Sequence, residues 1–460
     1  MVFALLACVH STRYAPEGRA VTTDAWRLPV APDASGELAT IRDGARTGPA
    51  YERLAQLTDR IGPRLSGSEA LDRAIAWART TIESDGVHVA LEPVAVPVWT
   101  RGEESLRMTA PAERTLAVLG LGGTIAGSVE APVVVAHSFD ELTDAAQGAI
   151  VLWNVPMLDE ERMVHGYGEA VKYRVQGASR AAEKGAVASL VRSVTTRSLY
   201  TPHTGMLRYE DGIERIPSAA VTVEDAELID RLTRSGTDVR LALTLSGSMG
   251  PDAWSHNVVG EVRGSTRPDE IVLLAAHIDS WDVDPGAHDD GAGVVQVMES
   301  LRLLASLSRP PQRTVRGVLF TNEENGLAGA RAYYAAHSHE AHVAAIESDV
   351  GGGWPLGFGV EDAAQRAWLQ RVVAPVGLPV LVEDWSGADT APFAATGILL
   401  AGLAVDDRHY FDVHHTRADT VDKVDPTALR EGAAALALFA WQVANAADRP
   451  PLTEPPPATH

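Results

Sequence analysis

The sequence is poor in three features that would each define a class of protein. It has one cysteine, Cys8, so no disulfide can form within the chain. Basic residues are scarce: 39 Lys and Arg stand against 61 Asp and Glu, a formal charge of −22. This excess argues against nucleic acid as a partner, because phosphate contacts need clustered Lys and Arg. No apolar run after Cys8 approaches the ~20 residues of a membrane span.

The residues before Cys8 resemble part of a targeting signal. The segment Leu5-Leu6-Ala7-Cys8 resembles the end of a bacterial lipoprotein signal. No Lys or Arg precedes it, although such a signal needs a charged start and a longer apolar stretch. Either the true start lies upstream or the match is chance. The first alternative predicts an extracytoplasmic protein (in the cell envelope, periplasmic or secreted) with a lipid anchor at Cys8.

The length of 460 residues predicts two domains with tails. Residues 1–45 are expected to form a signal or tether, and the Pro-rich residues 448–460 a disordered tail. Residues 46–110 and 246–447 are assigned to a larger domain. Between them, residues 111–245 have a different pattern, with short strand-like runs separated by turn signals and one predicted helix around residues 177–185. We interpret this segment as a β-rich domain inserted into the larger one.

The larger domain has the pattern of an α/β fold. Residues 271–279, 315–322 and 343–349 are apolar runs that end in polar residues, and helical stretches at 293–307 and 326–336 follow the first two. Buried strands joined by helices predict a mainly parallel, mixed sheet flanked by helices. An additional helix is predicted after residue 66, where Ser66 and Glu69 match a capping box, and another at 428–446.

Candidate ligands occur where these predicted strands end. His277 and Asp279 close the first strand, Asp289 precedes a Gly-rich helix start, Glu323 and Glu324 follow the second strand, Asp349 follows the third, and His415 precedes the last helix. Taken singly, each residue could have a purely structural role, for example as an acidic helix cap or as part of a solvated loop. Together they place histidines and carboxylates at one edge of a sheet. Such mixed ligands suit zinc, and two sites sharing a carboxylate suit two-metal hydrolysis.

In order and spacing, the strings HIDSWDV, GAHDDGAG, TNEENG, ESD and HHTRADT resemble the motifs of the co-catalytic zinc aminopeptidase and carboxypeptidase superfamily. The match extends into the insert at residues 173–177, 200–205 and 216–226, where it is closest to one carboxypeptidase branch, and it covers about residues 50–445. The resemblance implies a zinc-exopeptidase fold with a protease-associated-like insert that covers the cleft.

The resemblance also implies roles. Two zinc ions per chain would be held by His277 and Asp349 on one side and by Glu324 and His415 on the other, with Asp289 bridging. Glu323 would be the general base, and Asp279 would orient His277. His414 replaces a tyrosine that steadies the oxyanion in some members, so it is a candidate oxyanion or substrate contact, or a packing residue. Asp389 matches a family position near the site, and its role stays open.

The implied activity is hydrolysis of short unblocked peptides, with amino-, carboxy- and dipeptidase specificity undecided, and a homodimer is favoured. Two other functions remain as alternatives: a single-zinc acyltransferase resembling glutaminyl cyclase, and a non-catalytic binding homologue. Retention of the full ligand set argues against both. Three other polar candidates are interpreted as mainly structural, namely His203, Ser280 and His288, although His203 could also reach a substrate across the cleft. His337, His339 and His342 are predicted to lie on a solvated face at the end of a helix. Trp281 is predicted to wall the substrate pocket.

Overall fold

The computed structural model describes residues 27–160, 162–383 and 387–454. Its α-helices, numbered along the chain, are α1 (Glu37–Arg46), α2 (Ala50–Ala55), α3 (Glu69–Ser84), α4 (Met163–Ala182), α5 (Val223–Arg234), α6 (Ala292–Ala305), α7 (Ala328–His337), α8 (Ala363–Val373), α9 (Tyr410–Val413) and α10 (Pro426–Asn445). Among these residues, no helix is both long and apolar enough to cross a membrane.

The strands divide between two large sheets and a short ribbon. They are β1 (His88–Val96), β2 (Trp99–Thr100), β3 (Glu104–Ala110), β4 (Arg114–Leu116), β5 (Val118–Gly120), β6 (Gly127–Ala136), β7 (Ile150–Trp153), β8 (Ala188–Arg192), β9 (Ser218–Val221), β10 (Arg240–Leu245), β11 (Ser248–Met249), β12 (Ala253–Val262), β13 (Arg267–His277), β14 (Arg313–Phe320), β15 (Ala341–Glu347), β16 (Pro355–Gly359), β17 (Val380–Leu381) and β18 (Leu399–Val405).

The first sheet has the order β1-β12-β14-β13-β15-β18-β16-β17. Its centre, β14-β13-β15-β18, is parallel, whereas β1, β12 and the β16–β18 pair are antiparallel. Alternate residues of β13 enter different cores: Val272 and Leu274 pack with α6 and α10, and Leu273 packs with Tyr333 of α7. Burial on both faces explains the continuous apolar run, and the predicted α/β mixed sheet is confirmed.

The second sheet has the order β4-β3-β10-β6-β7-β8-β9-β5 and is built from residues 104–245. It begins earlier than the predicted boundary at residue 111, because β3 pairs with β10. It also contains a parallel half, β6-β7-β8-β9, accompanied by α4 and α5, so it is richer in helix than the sequence pattern indicated. The ribbon β2–β11 lies where the chain enters and leaves this unit.

Two helix predictions in these regions need correction. Helix α3 is capped by Ser68, whose side chain accepts the Leu71 N–H at 3.1 Å. The predicted cap, Ser66, is instead buried near the strand ends of the first sheet, where it accepts a hydrogen bond from Asn322. The insert helix predicted near residues 177–185 is α4, which begins at Met163. Glycines in its first turns lower helix propensity and hid its start.

The described parts of the predicted tether and of the predicted tail are folded, contrary to the prediction. Part of the predicted tether is α1, which buries Ile41 and Ala45, and its last residue, Arg46, forms an ion pair with Glu431 of α10. In the predicted tail, the Thr453 N–H donates to the Gly397 carbonyl at 2.9 Å. Residues 27–46 and 448–454 are therefore parts of the folded structure. Residues 1–26, including Cys8, and residues 455–460 lie outside the described residues.

Candidate metal centre

The predicted ligands meet at one edge of the first sheet. Strands β14, β13 and β15 are parallel neighbours, so their carboxyl ends lie side by side. His277 is the last residue of β13, Glu323 and Glu324 follow β14, and Asp349 follows β15. This edge is where open α/β sheets bind ligands.

Asp289 lies between two histidines and uses a different carboxylate oxygen toward each. Its Oδ1 is 3.2 Å from Nε2 of His277, and its Oδ2 is 3.1 Å from Nε2 of His415. The His277 nitrogen is also 3.2 Å from Oδ1 of Asp349, and the His415 nitrogen is 3.1 Å from Oε2 of Glu324. The predicted residues thus form two adjacent groups that share Asp289.

The chemistry of these two groups fits metal ions. Asp289 Oδ2 and Glu324 Oε1 are buried and have no hydrogen-bond partner. Burial raises the pKa of the Glu324 carboxyl well above its ordinary value, and the Asp289 charge adds to this effect. Leaving such carboxylates buried together is costly unless a cation offsets their charge. Imidazole and carboxylate are ligands that zinc takes in hydrolytic sites.

A third histidine is close to the second group. Nε2 of His414 lies 3.4 Å from Oδ2 of Asp289, and its ring stacks on that of His415 with centroids 3.6 Å apart. Asp289, His414 and His415 therefore also have the spacing of a metal-binding group, as do His277, Asp289 and Asp349. His414 reaches the same oxygen that faces His415, so it lies where either a metal ligand or a substrate contact would be placed.

Asp279 contacts His277 and also the backbone of Glu323 and Glu324. Its carbonyl oxygen is 3.1 Å from Nδ1 of His277, closer than its carboxylate at 3.8 Å. The carboxylate instead accepts two backbone N–H groups, from Glu323 at 3.1 Å and from Glu324 at 3.3 Å. One residue therefore contacts the inner nitrogen of one histidine and fixes the turn that carries both glutamates.

Two residues to which the sequence analysis gave no role, Asp419 and Thr204, contact the candidate ligands Asp289 and His415. Asp419 accepts the N–H of His288 at 2.8 Å and that of Asp289 at 3.0 Å. The carbonyl oxygen of Thr204, in the insert, lies 3.1 Å from Nδ1 of His415. Asp419 could have been found in the HHTRADT string. Thr204 acts through its backbone, which carries no sequence signal.

A cavity of about 280 Å³ opens onto these groups. The larger domain supplies Glu323, His414 and four of the five candidate ligands, Asp289, Glu324, Asp349 and His415. Helix α4 and the loop after β8 supply the opposite wall, through Val164, Tyr167, Arg174, Val175 and Met206. Burial raises the pKa of the Glu323 carboxyl well above its ordinary value. The insert therefore covers the site and narrows its access.

Several other candidates lie outside this cavity. Trp281, expected to wall the pocket, is fully buried behind His415, with ring centroids 5.7 Å apart, and packs on Trp99. His203 is buried, and burial lowers its pKa to about 3. Nδ1 of His288 accepts the Gly352 N–H at 3.1 Å, which indicates a structural role.

The remaining candidates are structural or of open role. Ser280 accepts the Arg64 N–H at 3.2 Å and has no base beside it among the hydrogen bonds of the described residues. His342, expected on a solvated face with His337 and His339, is instead buried against Phe393. Asp389 has a buried carboxylate without a hydrogen-bond partner, and its backbone N–H donates to Glu347 at 3.1 Å.

Comparison with known proteins agrees with this geometry. The family model for peptidase family M28 matches residues 257–440. Carboxypeptidase Q of Homo sapiens is 40% identical over 410 residues, which cover 86% of this chain and 85% of that protein. The crystal structure of a peptidase M28 precursor from Shewanella amazonensis SB2B superposes with a TM-score of 0.86 at 36% identity, over 92% of this chain and 98% of that one.

A more distant structure shares the fold. BSAP, a zinc aminopeptidase from Bacillus subtilis, superposes with a TM-score of 0.64 at 21% identity and covers 85% of this chain and 93% of that one. The chain belongs to peptidase family M28, within the co-catalytic zinc peptidase superfamily. It is accordingly a metallo-exopeptidase, and the predicted resemblance to the carboxypeptidase and aminopeptidase families is confirmed.

Proposed function

We propose that this protein is a two-zinc exopeptidase that hydrolyses short peptides with a free terminus. The observation that carries the proposal is the position of Asp289, whose two carboxylate oxygens face His277 and His415 separately, at 3.2 and 3.1 Å. A carboxylate placed between two ligand groups suits a two-metal hydrolytic site.

In this proposal His277 and Asp349 would hold one zinc ion, Glu324 and His415 would hold the other, and Asp289 would be shared between the two sites. Zinc ions bound there would polarise the scissile carbonyl and make an attacking water more acidic. The inner nitrogens of both histidines already have acceptors, the carbonyl of Asp279 at 3.1 Å and that of Thr204 at 3.1 Å. These contacts favour the tautomer in which Nε2 is free to bind a metal.

Glu323 is the proposed general base. It lines the cavity beside the ligand groups. Its carboxylate would accept the proton of the attacking water and then donate it to the leaving amine. Asp279 positions it, because the Glu323 backbone N–H is tied to the Asp279 carboxylate at 3.1 Å. His414 would contact the substrate or the developing oxyanion, since its ring also lines the cavity.

The cover formed by the insert favours an exopeptidase. A cavity of about 280 Å³ is at the small end for a ligand site, so it suits a dipeptide better than a loop of a folded protein. We assign the insert a protease-associated-like role on this basis. An extracytoplasmic location, a lipid anchor at Cys8 and a homodimer remain parts of the proposal that rest on sequence resemblance.

The test is hydrolysis of free, N-blocked and C-blocked dipeptides and tripeptides, before and after chelation and with zinc restored. We expect chelator-sensitive cleavage of the unblocked peptides, and the blocked series identifies the terminus that is read. Absence of hydrolysis in a protein that holds one zinc ion per chain would favour the cyclase-like alternative. Absence of hydrolysis in a protein that holds two zinc ions would favour a binding homologue.

A further inference from the structure

Arg174 of α4 is a buried cation in the wall of the cavity. Its exposed fraction is 7%, and its Nε is buried without a hydrogen-bond partner. Nη1 lies 3.4 Å from the Thr204 carbonyl and 3.3 Å from Nδ1 of His415. Among the ion pairs of the described residues, none involves Arg174. A buried guanidinium without a carboxylate partner is costly unless an anion arrives to pair with it.

The residues around Arg174 leave space for its guanidinium beside the cavity. The Tyr167 ring lies 5.6 Å from the Arg174 Cζ atom and also lines the cavity. Gly205 has a φ of +136°, and a Cβ atom there would lie 2.3 Å from Arg174 Cζ. A side chain at residue 205 would therefore displace the guanidinium. Because Gly205 has no side chain, the Arg174 guanidinium fits into this space and lines the cavity.

The other charged side chains in the described lining of the cavity are acidic. Four carboxylates line it, those of Asp289, Glu323, Glu324 and Asp349, and Arg174 is the one Lys or Arg side chain in the lining that the structure describes. Zinc ions bound there would offset the charge of these carboxylates, and Arg174 is the side chain in the lining that could pair with an anionic group of a substrate.

The separation between Arg174 and the candidate metal ligands limits where the negative group can lie in the substrate. The imidazole of His415 separates Arg174 from the ligand groups, since Nδ1 faces Arg174 and Nε2 faces Asp289 and Glu324. One residue of extended chain spans about 3.3–3.6 Å. A carboxylate one residue beyond the scissile bond would therefore be within reach, which corresponds to the C-terminal residue of a dipeptide.

We propose that Arg174 binds the free C-terminal carboxylate of the substrate and makes the enzyme selective for peptides cut at their last bond. This inference rests on the proposed exopeptidase function and specifies its substrate class. Arginine suits the role because its planar fork pairs with a carboxylate through two hydrogen bonds.

The experiment compares an unblocked dipeptide with its C-terminal amide, following release of the N-terminal amino acid by zinc-loaded protein. We expect wild type to prefer the free acid. Arg174→Met should lose about 100-fold in kcat/KM on the free acid, the cost of leaving a charged group unpaired, and change little on the amide. Arg174→Lys should retain part of the preference. The control Arg180→Met alters an arginine on the same helix that is 40% exposed and pairs with Glu183 and Glu210.

The outcomes separate the inference from the proposed function. If wild type cleaves neither substrate, the proposed function fails. If wild type cleaves both but Arg174→Met loses activity equally on the two, or if wild type shows no preference, Arg174 does not read the carboxylate. Zinc content and circular dichroism are measured for each variant. Calorimetric binding of the product amino acid and of its amide supplies a readout without turnover: only the acid should weaken in Arg174→Met.

Discussion

The carboxylate of Asp279 lies 3.1 Å from the backbone nitrogen of Glu323 and accepts its hydrogen bond. The same carboxylate accepts the N–H of Glu324, and the carbonyl of Asp279 contacts His277. The segment after β13 therefore orients both the proposed general base and a proposed metal ligand. The Asp279 side chain is fully buried, so its hydrogen bonds are shielded from bulk water.

Asp279→Asn is predicted to reduce kcat about 10- to 100-fold, the range found when outer contacts of metal sites are removed. The new amide NH2 would face backbone N–H donors, so unfolding free energy should also fall by about 1–3 kcal/mol. Steady-state kinetics and denaturant unfolding check both effects. The control Asp252→Asn changes an exposed aspartate. Unchanged kcat in Asp279→Asn would contradict the positioning role.

Glu323→Gln is predicted to retain its metal and lose roughly 1,000-fold in kcat, because the amide cannot accept the water proton. Metal analysis and kinetics on one preparation measure the two properties together. Glu361→Gln, at an exposed glutamate, serves as the matched control. Loss of metal in Glu323→Gln would identify Glu323 as a ligand, and near-normal turnover would remove it from the reaction.

His415→Ala is predicted to bind one zinc ion fewer per chain than wild type. The imidazole stands between Asp289 and Glu324 at 3.1 Å from each, so its removal leaves that group with carboxylates alone. Metal content after dialysis against limiting zinc is the measurement. His339→Ala, at an exposed histidine, should load fully. A fully loaded His415→Ala protein would shift the ligand role to His414, whose Nε2 already lies 3.4 Å from Asp289.

Chelation is predicted to lower the melting temperature by several degrees, and zinc should restore it. Asp289 Oδ2 and Glu324 Oε1 are buried without hydrogen-bond partners, so the folded state gains from a bound cation that the unfolded chain binds less well. Scanning calorimetry at fixed pH with and without chelator checks this. A melting temperature that does not respond to zinc would argue against occupancy of the cluster.

The α/β fold of the larger domain could be predicted from the sequence because it depends on local patterns, namely apolar runs followed by polar residues. The runs 271–279, 315–322 and 343–349 are apolar since β13, β14 and β15 are buried on both faces, and polar residues follow where the strands end. The ordered motifs then predicted which side chains converge. Asp289, His277 and His415 lie together in the structure, although 137 residues lie between His277 and His415 in the sequence.

What the sequence did not predict depends on tertiary contacts. Ser66 matched a capping box, but burial beside Asn322 gave it another partner, and Ser68 caps the helix. Trp281 was expected at the pocket, yet it packs behind His415. The contact of Thr204 with His415 uses a backbone carbonyl from the insert. Neither periodicity nor motif spacing records which face of one domain meets another.

The most direct test of the account is a zinc titration of chelator-stripped protein, with hydrolysis of an unblocked dipeptide measured at each step. The account predicts that activity rises to its maximum as the second zinc ion binds and that Glu323→Gln takes up the same two ions without gaining activity. Maximal activity at one zinc ion per chain, or full activity in the stripped protein, would contradict the shared role of Asp289.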